Sequence, residues 1–202
     1  MSKSPPPDRK RQIHMVVPLA MTTIRIILAP FILFWAGNGR AGLPYVLCLI
    51  TAFVTDYFDG VVARKLGVAS ATVRRYDSAA DVIFYVAAFL AVWLVYPEQV
   101  RAHWLGLSLV ASLEAIRVTI DYLKFRREAS YHMWSAKAWN ISLFAALTGL
   151  MGFGVSGWLF QLPIVVGMIT NLEGLAASLL LPKWTHDVPT VFHAYKIRQS
   201  EP

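Results

Sequence analysis

Six long apolar stretches, set apart by short polar or glycine-bearing punctuation, organise this chain. They run over about 15–36, 43–66, 73–96, 103–124, 133–153 and 157–181. Crossing a bilayer takes roughly 20 residues of helix, and each stretch is that long. The connections NGRAG, LGVASAT and GFGVSG are short and rich in small residues, which suits tight hairpins between antiparallel helices. The fourth connection, RREASYH, is longer and basic. The pattern predicts an all-α integral membrane protein with six transmembrane helices in one bundle over 15–181. A basic N-terminal arm, 1–14, precedes the bundle, and a polar tail with interfacial aromatics, 182–202, follows it. Residues 1–12, rich in proline and basic side chains, read as a disordered cytoplasmic arm at the membrane surface. The first apolar stretch is too long and too late for a cleaved signal peptide.

Composition agrees with the pattern: 56% of residues are hydrophobic and 15% charged, with a mean hydropathy of +0.51. Basic residues then set the orientation. Lys3, Arg9, Lys10, Arg11, Arg64, Lys65, Arg74, Arg75, Lys124, Arg126, Arg127, Lys183, Lys196 and Arg198 fall on one side, 14 in all, against Arg40 and Arg101, 2, on the other. Both termini are therefore expected in the cytoplasm. A net charge of +7 suits anionic headgroups and phosphate substrates. Its dispersal among loops excludes a nucleic-acid-binding module. The single Cys48 leaves no disulfide or thiol metal site within the chain.

Four carboxylates change the picture. Asp56 and Asp59 end the second stretch, and Asp77 and Asp81 open the third. Spacings of three and four put each pair on one helix face. A carboxylate in a membrane costs several kcal/mol, about 3 on insertion scales, unless it is paired, hydrated or bound to a cation. The two helices are expected to be antiparallel neighbours, with both pairs at similar depth near the cytoplasmic surface. Oxygen-only ligands select hard cations, Mg²⁺, Mn²⁺ or Ca²⁺ rather than zinc, and a pair of ions such as Mg²⁺ can clamp a pyrophosphate. Asp56, Asp59, Gly60 and Ala63 form one stripe, in which two residues of minimal side chain let a ligand or helix approach the backbone. The bland reading is that the acids only pair with Arg64, Arg74 and Arg75.

The run resembles the CDP-alcohol phosphatidyltransferase family, whose pattern is D-x2-D-G-x2-A-R-x8-G-x3-D-x3-D. Asp56, Asp59, Gly60, Ala63, Arg64, Asp77 and Asp81 match at the right spacing, seven of eight fixed positions over 26 residues; Val73 stands where the family has its second glycine. The six-helix expectation is similar to the family's architecture. The resemblance implies attack by an alcohol on the lipid-bearing phosphate of a CDP-linked lipid, CDP-diacylglycerol, with loss of CMP. It implies two divalent cations, Mg²⁺ or Mn²⁺, held by Asp56, Asp59, Asp77 and Asp81. Asp77 would bridge them, and Asp81 would take the acceptor's proton. Asp56, Asp59, Gly60, Ala63, Arg64 and Val73 would line the CDP-lipid site, with the Val73 side chain filling a gap the family leaves open. A homodimer in a bacterial inner membrane, its site facing the cytoplasm, is the expected setting.

Other polar residues carry weaker signals. Arg25, in TTIRIILAP, needs a partner inside the first span: one of the acids or a substrate phosphate. Pro30 is expected to kink that helix. Glu114, Arg117 and Asp121 form either a local salt-bridged stripe or, through Arg117, a phosphate contact to the acceptor. Lys137 is similar in position to a family lysine near the acceptor pocket, or snorkels to the interface. Asn171 and Glu173 read as interhelical hydrogen-bonding groups. Glycerol 3-phosphate is the first expectation for the acceptor and inositol phosphate the second. A rival class is a transporter or cation channel, which would string acids along a path rather than gather them at one depth. A non-catalytic, lipid-binding relative is the third reading.

Overall fold

A computed structural model describes residues 9–39, 41–68, 70–127, 131, 133–185 and 187–200. The first eight residues of the expected arm, and the last two of the tail, lie outside the described residues. Among those described, every regular element is helical: α1 (Arg9–Gly37), α2 (Leu43–Lys65), α3 (Ala71–Val95), a short α4 (Pro97–Ala102), α5 (Trp104–Phe125), α6 (Trp134–Phe153), α7 (Trp158–Leu180) and α8 (Val191–Ser200). The chain divides into two compact units, Met1–Pro97 and Glu98–Pro202.

In the first unit, α2 and α3 both pack chiefly on α1. The expected pairing of α2 with α3 is secondary, marked by the Tyr45 hydroxyl donating to the Ala88 carbonyl at 3.2 Å. The reason lies in side-chain size. On α3, Ala80, Phe84, Ala87, Ala88 and Ala91 are buried along one helical face, and α1 offers Ala29, Ile32 and Ala36. Small residues let helices approach closely, so dispersion substitutes for the weak hydrophobic drive available in lipid. α1 starts at Arg9, so the end of the expected arm is its opening turns, and the helix runs through Pro18 and Pro30.

The turn from α2 to α3 sets the site. Gly67 has φ +66, and the Val68 N–H closes back on the Ala63 carbonyl at 3.0 Å. A left-handed residue here costs glycine nothing and any other residue something. Arg64 and Lys65 lie in the last turn of α2, where positive charge meets the negative end of the helix dipole. Ser70 caps α3, its hydroxyl accepting the Val73 N–H at 3.3 Å.

In the second unit, α5, α6 and α8 all pack on α7. Tyr131, Met133, Ala177, Leu181, Val188 and Ala194 form its buried cluster. The C-terminal tail therefore contains a packed helix, α8, whose first turn is capped by the Glu173 carboxylate accepting the Val191 N–H at 3.1 Å. Phe192 and Tyr195 stay on its outside.

Among the described residues, four helical segments can cross a membrane by length and composition: Met15–Gly37, Leu43–Lys65, Arg75–Val95 and Trp158–Leu180. Outward-facing Ile27, Phe31, Phe34, Leu47, Ile83 and Trp93 agree with a lipid environment. α5 is long enough, at 22 residues, but carries Glu114, Arg117, Asp121 and Lys124; α6 has 20 residues and contains Lys137 and Asn140.

Candidate active site

The four acids converge, and Arg25 of α1 stands at their focus. Its Nη1 donates to Asp56 Oδ1 at 2.7 Å and also to Asp81 Oδ1. Its Nη2 donates to Asp59 Oδ2 and Asp77 Oδ1. Each terminal nitrogen thus serves one acid from α2 and one from α3. The floor is closed: the Arg25 side chain is 1% exposed and that of Asp59 5%. The rim is open: Asp56 is 41% exposed, Asp77 33% and Asp81 34%. A ligand therefore reaches the acids from the rim, not through the helix packing.

Threonines position the floor. Thr22, one turn before Arg25, donates to Asp59 Oδ2 at 3.0 Å and to the Pro18 carbonyl at 3.0 Å. Thr23 and Tyr76 share a hydrogen bond of 2.9 Å that ties α1 to the acid-bearing turn of α3. Neither threonine stood out in the sequence, since a hydroxyl bonding its own helix is the ordinary case.

Asp56, Asp59 and Asp77 can each offer a carboxylate oxygen within 4.8 Å of the other two. Three convergent hard oxygens, with Asp81 reaching the same guanidinium, are a donor set that fits Mg²⁺ or Mn²⁺ and not a thiophilic metal.

On the same face of α2, Ala63 is buried and Gly60 half-buried, while Arg64 is exposed. A Cβ added to Gly60 would touch the Arg64 guanidinium at 3.4 Å, so the arginine lies back along the helix over its glycine. Val73 is 7% exposed and points into the unit's interior. Among the described side chains the acids pair with Arg25, while Arg64 and Arg75 are exposed; the Arg74 side chain lies outside those described.

Arg117 occupies a second polar centre, in the other unit. Its Nη2 donates to Glu114, its Nη1 to Asp121 at 3.4 Å, and its Nε to Asn171 Oδ1 at 3.3 Å. The local stripe expected from sequence is present, and Asn171 makes the expected interhelical bond. Gly174 is required here, because a Cβ would fall 2.8 Å from Arg117 Cδ. Fully buried Asp121 also accepts from the Ser178 hydroxyl, which is bonded to Tyr131 at 3.0 Å. Burial pushes the Tyr131 phenol above its ordinary pKa, so it stays a neutral donor. A cavity of about 160 Å³ is lined by Glu114, Arg117, Tyr131, Trp139, Thr170 and Asn171 among others. Lys137 is not among its lining residues; it is exposed, with Nζ 4.2 Å from the centre of the Trp134 ring.

Residues 15–173 match the family described as CDP-alcohol phosphatidyltransferase. The chain belongs to that family. Curated relatives named CDP-diacylglycerol–glycerol-3-phosphate 3-phosphatidyltransferase resemble it. One from Wigglesworthia glossinidia brevipalpis is 29% identical over 93 residues, 42% of this chain and 51% of its own length. One from Rickettsia typhi is 34% identical over 67 residues, 32% of this chain and 38% of its own. One from Salmonella choleraesuis is 27% identical over 110 residues, 54% of this chain and 58% of its own. The chain thus spans about half, or less, of the length of these relatives. No solved structure matches. In this phosphatidyltransferase family member the acid motif lies wholly in the first unit, whereas Arg117 and Lys137 belong to the second.

Proposed function

We propose that this chain transfers a phosphatidyl group from CDP-diacylglycerol to glycerol 3-phosphate, releasing CMP. The convergence of Asp56, Asp59 and Asp77 within 4.8 Å, on the motif of a phosphatidyltransferase family, carries the reading. The names of the relatives support the acceptor. Asp56, Asp59, Asp77 and Asp81 would hold two divalent cations, Mg²⁺ or Mn²⁺. When bound, such cations neutralise the pyrophosphate and make its phosphorus easier to attack.

This chain's own groups do the rest. The acceptor hydroxyl oxygen forms a bond to the lipid-bearing phosphorus, the bond to the CMP oxygen breaks, and the proton passes to Asp81. The half-exposed Asp81 side chain is open to an entering alcohol. Gly60 and Ala63 let the cytidine diphosphate lie against the α2 backbone, next to Arg64 and the turn bearing Val73. Arg117 and Lys137 are the candidates for binding the acceptor.

The setting is a bacterial inner membrane crossed by six helices over 15–181, with both termini and the site on the cytoplasmic side and membrane lipids around a homodimer. The arm 1–14 and tail 182–202 flank that domain. A second reading keeps the chemistry and changes the acceptor to inositol phosphate or another alcohol. Arg117 favours only the unphosphorylated alcohols among these, because a phosphate there must compete with Glu114 and Asp121. Product analysis decides: with CDP-diacylglycerol, Mn²⁺ and each acceptor in turn, purified protein should form lipid only with glycerol 3-phosphate. Lipid formed only with another alcohol supports the second reading, and no lipid with any acceptor rejects both.

A further inference from the structure

The four acids carry charge that their surroundings leave unmatched, and one side chain already sits where positive charge is needed. Arg25 comes from α1, which contributes none of the four acids, and is almost wholly buried. Its partners lie 31, 34, 52 and 56 positions away along the chain. Its Nε has no hydrogen-bond partner, so the guanidinium is held by the carboxylates and by nothing else on its polar edge. One guanidinium faces four carboxyl groups, so acid outnumbers base among these groups. In a low-dielectric setting that surplus draws in further cations. Three of the four acids gripped by Arg25 are those whose oxygens converge within 4.8 Å.

We propose that Arg25 is a built-in competitor for the metal. Its guanidinium gathers the acids of α2 and α3 against α1 when no divalent cation is bound, and an entering cation takes carboxylate oxygens from it. Arg25 then sets how tightly metal binds and keeps the site assembled between loadings. It is a positioning residue: it acts through the acids, Asp81 among them, and not on substrate. Thr22 shares the task at Asp59, whose Oδ2 accepts from both.

The inference rests on the metal reading of the four acids. It differs from two simpler roles. A purely structural arginine would cost stability equally with and without metal. A substrate-phosphate anchor would leave metal affinity alone in the absence of substrate. The competitor role makes an opposite prediction: removing the arginine tightens the metal.

The test is Mn²⁺ binding to the full chain in detergent, without nucleotide, followed by electron paramagnetic resonance, together with thermal unfolding in chelator and in Mn²⁺. Arg25→Gln should bind Mn²⁺ about tenfold more tightly than wild type, a tenfold step being about 1.4 kcal/mol. Its unfolding midpoint should fall in chelator and recover most of that loss in saturating Mn²⁺. Arg25→Lys, which keeps the charge with a single donor group, should fall between the two and serves if the glutamine variant does not fold. Unchanged or weaker Mn²⁺ binding in the variants, with equal loss of midpoint in chelator and in Mn²⁺, overturns the competitor role while leaving the metal site standing. No Mn²⁺ binding to wild type or variants overturns the metal site as well.

Discussion

Two arginines, the buried Arg25 and the half-buried Arg117, use the same ingredients to different ends. Arg117 takes its acidic partners from its own helix, at i−3 and i+4, and its third contact is a neutral amide. Arg25 takes four acids from two other helices. The first arrangement is locally written and close to charge balance, with two acids to one base. The second is assembled only by the fold and keeps a large negative excess at an open rim. A polar network that closes on itself stabilises; one that stays unbalanced where solvent reaches it is equipped to bind. The chemistry proposed above belongs to the acids around Arg25, with Arg117 proposed in a supporting role.

The largest effect should separate the two centres by activity. Asp77→Asn should lower CMP release by about a thousandfold or more, since it removes a charged oxygen from the convergent set. Asp121→Asn, in the balanced centre, should change the rate less than about tenfold and act mainly on stability. A comparable loss in both would erase the distinction. Next in size is stability. Arg25→Met, measured in chelator, should cost about 3–5 kcal/mol by leaving buried charge uncompensated, against about 1–3 kcal/mol for Arg117→Met. Denaturant titration in mixed micelles reads both.

A smaller effect sharpens the role of the second centre. Gly174→Ala drives a methyl into Arg117 Cδ, 2.8 Å from the ideal Cβ. Overpacking of this kind costs about 1–3 kcal/mol. If Arg117 meets the acceptor, KM for glycerol 3-phosphate should rise several-fold with kcat little changed; an unchanged KM would detach Arg117 from the acceptor. The smallest effect belongs to Lys137→Ala. An exposed cation over Trp134 contributes about 0.5–1 kcal/mol, so stability should hardly move, and the acceptor KM alone tests its assigned contact.

The acid positions were legible because spacing fixes helix face: Asp56 with Asp59, and Asp77 with Asp81, needed only local periodicity. The Glu114–Arg117–Asp121 stripe was legible for the same reason. Helix positions also followed from hydropathy. Six of the eight helices among the described residues stand at the six apolar stretches. α1 begins well before its stretch, at Arg9, because the polar segment 9–14 continues the helix outward. What stayed hidden is non-local. An acid was one of the two partners the sequence offered Arg25, but nothing in the periodicity of α1 says that it meets all four, 31 to 56 positions onward, or that α1 is the helix on which both acid carriers pack. Thr22 and Thr23 were invisible for the same reason. α8 was missed because its mixed polar sequence has little apolar stripe, and its order comes from Ala194 in the cluster on α7 and from the Glu173 cap.

The measurement that tests the central claim most directly is CMP release from CDP-diacylglycerol by purified protein, with glycerol 3-phosphate present, across a titration of Mn²⁺. Release should require the metal, vanish with chelator, and be lost in Asp77→Asn but retained in Asp121→Asn. Release that persists in excess chelator, or that survives Asp77→Asn, would contradict the account.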